Sequence, residues 1–137
     1  MTAAILAIFC ATWPAALPRQ IERAAHAAGV PSELFAATVG AESTCRPDVK
    51  SRKGAIGYGQ ILPGGSAAKG HTAKQLRRVR LNLRLAAEHL SRCIDTCGTW
   101  AAAVSMYAGA QGCVEGPWGQ RVAGAAMGQR IAMGERR

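Results

Sequence analysis

Apolar residues recur at helical spacing in several stretches of the chain. Ile21 and Ala24–Ala25 give an inward face over residues 18–28, and Gly29 stops that helix. Val30-Pro31-Ser32-Glu33 then reads as a helix start, with proline near the first turn and an acid at the positive helix end. The second helix runs to about Ser43. Phe35, Val39 and Glu42, spaced by four and three, share one of its faces. Leu83, Ala86, Ala87, Leu90 and Ile94 mark a third helix over 79–95, ended by Gly98. Thr99 is placed to cap a fourth over 100–108, carrying Val104 and Tyr107. A weaker helical pattern over 117–137 is interrupted by glycines and ends in Arg136-Arg137.

Between the second and third helices the pattern stops. Residues 44–70 hold Gly54, Gly57, Gly59, Gly64, Gly65 and Gly70 with Pro47 and Pro63, so the spacing predicts a loop with short helical turns or a short hairpin. Neither a dinucleotide fingerprint nor a phosphate loop is present. Residues 1–17 are apolar but too short and too proline-broken to span a bilayer. They lack the basic start and the small-x-small site of a full export signal. Two readings stand: a signal-like segment, or a helix packed on the domain formed by 18–137. With abundant alanine and few β-branched residues, the whole reads as one mainly α domain.

Charge narrows the partners. Seventeen Lys+Arg oppose 8 Asp+Glu, a net charge of +9, and 13 of the cations are arginine. That balance points to a polyanion, whether wall polymer, nucleic acid or membrane face. Aromatics at 5% argue against single-stranded nucleic acid, which needs stacking platforms. Cys10 lies in the apolar N-terminal segment; Cys45, Cys93, Cys97 and Cys113 lie in the body. Four body cysteines suggest an oxidising location with three possible pairings. His89, Cys93 and Cys97 fall on one helical face at a spacing that could bind zinc, yet no compact fourth ligand accompanies them. Buried thiols or disulfides are the preferred reading over zinc.

A carboxylate on an apolar stripe is unusual, and Glu42 is the candidate acid. Its structural alternative is a buried Glu–Arg pair, with Arg46 nearby. A usual glycosidase needs two carboxylates flanking the bond. Asp48 is the only other acid close in sequence, and after Pro47 it reads as a turn former. A mechanism with one carboxylate therefore gains weight. In peptidoglycan the C6 hydroxyl of muramic acid can attack its own anomeric carbon. One Glu then donates a proton and later accepts one, given a pKa raised by apolar surroundings.

The residues around Glu42 carry a family resemblance. Glu42-Ser43-Thr44-Cys45-Arg46-Pro47 and Gly54-Ala55-Ile56-Gly57-Tyr58-Gly59-Gln60-Ile61-Leu62-Pro63 match, in register, two motifs of the soluble-type lytic transglycosylases. Asn82 with the following helix and the 103–107 segment ending in Tyr107 match two more, so the likeness spans about residues 18–113. The resemblance implies a goose-lysozyme-like helical fold and cleavage between N-acetylmuramic acid and N-acetylglucosamine. It implies Glu42 as acid/base, and neither a metal nor an organic cofactor. Ser43 would place the substrate or the carboxylate, Tyr58 would line the groove, Gln60 would hydrogen-bond the sugar, and Tyr107 would orient Glu42. Gly59 stands where the family has Met, Ala108 where it has Asn, and Cys45 where an apolar residue is common. The expected partner is the glycan strand of peptidoglycan, with no specific nucleic acid. Two settings fit: an exported envelope enzyme, serving a secretion machine or remodelling wall, and a phage virion or lysis protein. Lysozyme-type hydrolysis and a non-catalytic wall-binding or virion module are the competing functions.

Overall fold

In a computed structural model, the backbone of residues 1–135 and the side chains of residues 1–131 are described. Seven α-helices follow in order: α1 (Thr2–Phe9), α2 (Leu17–Ala28), α3 (Ser32–Ser43), α4 (Ala73–Leu76), α5 (Val79–Cys97), α6 (Trp100–Tyr107) and α7 (Pro117–Glu135). A 3-10 turn covers Ser66–Ala68. The fold is all-α, as the periodicity predicts. Arg136 and Arg137 lie outside the described residues.

Helix α3 is the axis of the domain. Leu34, Phe35, Ala36, Ala37 and Val39 are all without solvent exposure, so the helix is covered on every side rather than on one stripe. Helices α1, α2 and α7 supply that cover, and α5 packs on α2 and α6. The expected stripe of Phe35, Val39 and Glu42 is thus one side of a helix buried all round. Near its start, the buried Glu33 accepts an ion-paired hydrogen bond from Arg130 of α7, whose guanidinium also lies 4.8 Å from the Trp100 ring centre. This is the only ion pair among the described residues. The Glu–Arg pairing considered for Glu42 therefore occurs at Glu33.

The predicted helices form because their apolar faces meet. Leu17, Ile21 and Ala25 of α2 are buried, as are Leu83, Ala86, Ala87 and Leu90 of α5. The Thr99 hydroxyl accepts from the Ala102 amide at 3.3 Å and caps α6. In α7 the glycines do not break the helix. Gly119 is required there, because a Cβ would stand 2.1 Å from the Ala101 carbonyl oxygen of α6.

Residues 2–9 form a helix whose Ile5 and Leu6 are fully buried against the domain. This docking corrects the expected cysteine pairing. Cys10, not a second body cysteine, bonds Cys45, with Cα atoms 5.8 Å apart. Cys97 bonds Cys113 and Cys93 remains a buried thiol. The reason is that α1 lies along α3 and delivers its end to the turn that follows α3. Cys97 is thereby removed from any zinc set with His89 and Cys93. Among the described residues, no helix is long and apolar enough to cross a membrane.

Candidate active site

Glu42 is the penultimate residue of α3, half-buried where the helix runs out. Burial raises its pKa from the usual 4.5 to about 7. The negative end of the helix dipole acts in the same direction. Among the described residues, no hydrogen bond or ion pair engages the carboxylate, and Arg46 is exposed. No second carboxylate contributes to the rise. Asp48 is exposed, and its charge acts on Tyr58 instead.

The chain leaves α3 through a turn that few residues adopt. Thr44 and Cys45 have φ of 50° and 64°, in the left-handed region that costs a residue with a Cβ of order 1–3 kcal/mol. The Thr44 amide bonds the Gly40 carbonyl at 2.9 Å, and the Cys10–Cys45 bridge anchors the next residue. Such strain persists only where its surroundings over-determine it, and here it sits directly after Glu42.

The glycine-rich segment is a closed loop. Ile56 and Ile61 exchange backbone hydrogen bonds of 2.9 and 3.0 Å, and Lys50 bridges to Ile56. These are isolated bridges; no strand forms among the described residues, so the loop reading holds over the hairpin. Asn82, buried on α5, clamps the loop. Its Oδ1 accepts from the Gly59 amide at 2.8 Å, and its Nδ2 donates to the carbonyls of Ile56 (2.8 Å) and Leu76 (2.9 Å). From α6 the Tyr107 hydroxyl donates to the Gly59 carbonyl at 2.5 Å. Both polar groups of the Gly59 backbone are thus held by side chains from two helices.

This clamp explains the departure at position 59. A Cβ on Gly59 would lie 2.5 Å from the Ala86 Cβ and 3.1 Å from the Tyr107 hydroxyl. Ala86 fills the space that a side chain at 59 would need. Gly57, with φ of +75°, is equally restricted: a Cβ there would meet Asn82 Nδ2 at 2.7 Å.

The sequence-predicted residues fare differently. Tyr107 lies within the field of Glu42: burial pushes its pKa well up, and the Glu42 charge pushes it further, so the phenol stays a proton donor. Gln60, at φ of 52°, spends both Nε2 protons on the loop, bonding the carbonyls of Val49 (3.2 Å) and Gly57 (3.1 Å). Only its Oε1 is left to meet a ligand. Ser43 is buried, and its hydroxyl donates to the Val39 carbonyl at 2.8 Å. Tyr58 is 2% exposed and packs in the core, with burial and then Asp48 raising its pKa. Neither residue thus offers much surface to a substrate: the Ser43 hydroxyl bonds back along its own helix next to Glu42, and the Tyr58 ring packs with the core.

A cavity of about 420 Å³ opens beside this framework, walled by Gln60, Leu62, Ser66, His89, Met106 and Tyr107. Glu42 lies outside its lining, and Tyr107 is part of it. Its His89 was not singled out from the sequence for this place. The His89 ring centre is 5.1 Å from that of Tyr107. Burial first, and then Arg92, lower the imidazole pKa. The Asn82 clamp also went unassigned. A lone Asn on the apolar face of a helix was the available signal, since such an amide must find partners inside.

The fold and site together define a lysozyme-like helical domain built around one carboxylate and a clamped glycine loop. The sequence model of the transglycosylase SLT domain matches residues 19–126. The chain belongs to that family, the lytic transglycosylases that act on peptidoglycan. No curated protein and no solved structure matches it significantly.

Proposed function

We propose that the protein cleaves the β-1,4 bond between N-acetylmuramic acid and N-acetylglucosamine and leaves a 1,6-anhydro end. The observation that carries this reading is Glu42 itself: half-buried, with a pKa raised to about 7, and without an ion-pair or carboxylate partner among the described residues. A group titrating near neutrality can serve as acid and then as base in one cycle. Protonated Glu42 gives its proton to the glycosidic oxygen as the C1–O bond breaks. The resulting carboxylate takes the proton of the muramic C6 hydroxyl as its oxygen bonds C1. Atoms balance without water, and Glu42 ends protonated again.

Tyr107 supports the cycle by keeping a neutral hydroxyl within the field of Glu42 and by fixing Gly59. The cavity beside Gln60 and His89 has the size for a sugar unit, with Gln60 Oε1 as acceptor for an N-acetyl N–H. The surplus of cations suits a wall that bears carboxylated peptide stems. Two disulfides support work in an oxidising location at or outside the cell envelope, for a resident wall enzyme or a phage protein alike.

The test is product mass on purified peptidoglycan, wild type beside Glu42→Gln. Anhydro-muramyl ends from the wild type and none from the variant are expected. Reducing ends alone would replace this reading by hydrolysis. Binding without turnover by both proteins would make the domain a wall-binding module.

A further inference from the structure

A second site lies on the opposite side of α5 from the glycine loop. Asn82 and Ala86 face the loop. Arg80 and Arg84 stand two residues either side of Asn82, roughly 160° around the helix. There they meet Arg23 of α2 across a cavity of about 400 Å³ floored by Leu83, Ala24 and Ala27. Three guanidinium groups from two helices thus line one concavity, and none has an ion-pair partner among the described residues.

The surroundings do not supply the missing charge. From residue 49 to residue 87 the chain holds nine cations and no acid. Glu88 follows Arg84 by one turn but forms no ion pair among the described residues. Glu22, next to Arg23, accepts the Thr2 hydroxyl at 2.8 Å and likewise forms no ion pair among the described residues. The first turn of α5 carries Arg80 instead of an acid, so the positive helix end adds to the field. Like charges gathered in a concave site repel unless an anion joins them.

We propose that this cavity binds a phosphate ester. Guanidinium forks match phosphate oxygens in pairs, and three of them exceed what one carboxylate can use. The apolar floor suits the carbon body that carries the phosphate. The ester is either a lipid headgroup or a small soluble phosphate. A lipid headgroup would hold the domain at an anionic surface while the glycan site on the other side of α5 stays open; a soluble ester would occupy the same guanidinium groups without anchoring the domain. The inference does not depend on the cleavage reaction.

The probes are glycerol 3-phosphate and phosphatidylcholine vesicles with or without phosphatidylglycerol. Amide shifts in ¹⁵N-labelled protein report the first, and co-sedimentation the second. Saturable shifts confined to α2 and the start of α5 assign a soluble ester; vesicle binding that requires phosphatidylglycerol assigns a lipid headgroup. Either is expected to weaken about tenfold or more in Arg23→Gln/Arg80→Gln/Arg84→Gln. The charge-matched variant Arg46→Gln/Arg52→Gln/Lys53→Gln is expected to bind within about twofold of wild type if the site, not net charge, does the binding. Arg84→Gln alone gives an intermediate loss and guards against misfolding of the triple variant. No binding to either probe, or equal loss in the two triple variants, overturns the proposal.

Discussion

Replacing Glu42 with glutamine is expected to stabilise the fold above neutrality while it abolishes glycan cleavage. The carboxyl pKa rises from 4.5 to about 7 on folding because burial disfavours the charged form. The folded state therefore binds this proton more tightly than the unfolded chain. Stability from that proton is fully present below pH 4.5 and is lost as pH rises through 7. At 1.36 kcal/mol per pH unit the loss reaches about 3 kcal/mol, a ceiling because the side chain keeps some solvent contact. Glutamine is neutral throughout and nearly isosteric. Its advantage is close to zero in acid and grows to about 2–3 kcal/mol above pH 7. The assay is urea unfolding of both proteins across this range, with peptidoglycan clearing measured on the same samples. A gap that is constant with pH, or that opens only in acid, would refute the reasoning. In the active protein, clearing falls as pH rises beyond 7, since the first step needs protonated Glu42.

Three further outcomes follow from the clamp and the bridges. Gly59→Ala is expected to cost about 2 kcal/mol from overlap with Ala86, and Ala86→Gly to recover at least half, read as coupling in a double-mutant unfolding cycle. Asn82→Ala leaves the Gly59 amide and the Leu76 carbonyl without their partner, while the Ile56 carbonyl keeps the Ile61 amide, so a stability loss of about 3 kcal/mol with loss of clearing is expected by denaturation and turbidity assays. Removing the Cys10–Cys45 bridge, whose ends are 35 residues apart, is expected to cost about 4 kcal/mol, against about 3 for Cys97–Cys113 at 16 residues, compared by unfolding of the paired Cys→Ser variants.

The helices were legible because each carries a local period and a local stop. Ile21 with Ala25, Leu83 with Leu90, and Thr99 as a cap need no knowledge of the rest of the chain. What escaped depends on contacts between distant segments. Cys10 finds Cys45 only because α1 docks on α3, and nothing in residues 1–17 specifies that neighbour. The apparent stripe of Phe35, Val39 and Glu42 hid a helix covered on all sides, since alanines on its other faces read as neutral. Glu42, Gln60 and Tyr107 stand out because an acid, an amide and a phenol occur where packing would favour apolar residues. The fates of Ser43 and Tyr58 were not legible. A hydroxyl that bonds the carbonyl four residues back and one that reaches solvent have the same sequence signature.

The departures at Gly59 and Ala108 can now be weighed against each other. At position 59 the contacts are made by the backbone: its amide is held by Asn82 and its carbonyl by Tyr107. Those bonds need no side chain at 59, and Ala86 closes the space a larger residue would occupy. Glycine at 59 is thus matched within the fold and leaves the loop's polar framework intact. Ala108 has no such counterpart. It is exposed at the end of α6, next to Tyr107, and its methyl group can neither donate nor accept a hydrogen bond. Ala108 takes no part in the hydrogen bonds of the clamp, and it does not line the cavity beside Tyr107, although Gly109 and Ala110 do. Of the two positions, then, 59 is fixed by how the loop is built, and 108 is fixed neither by the clamp nor by the cavity wall.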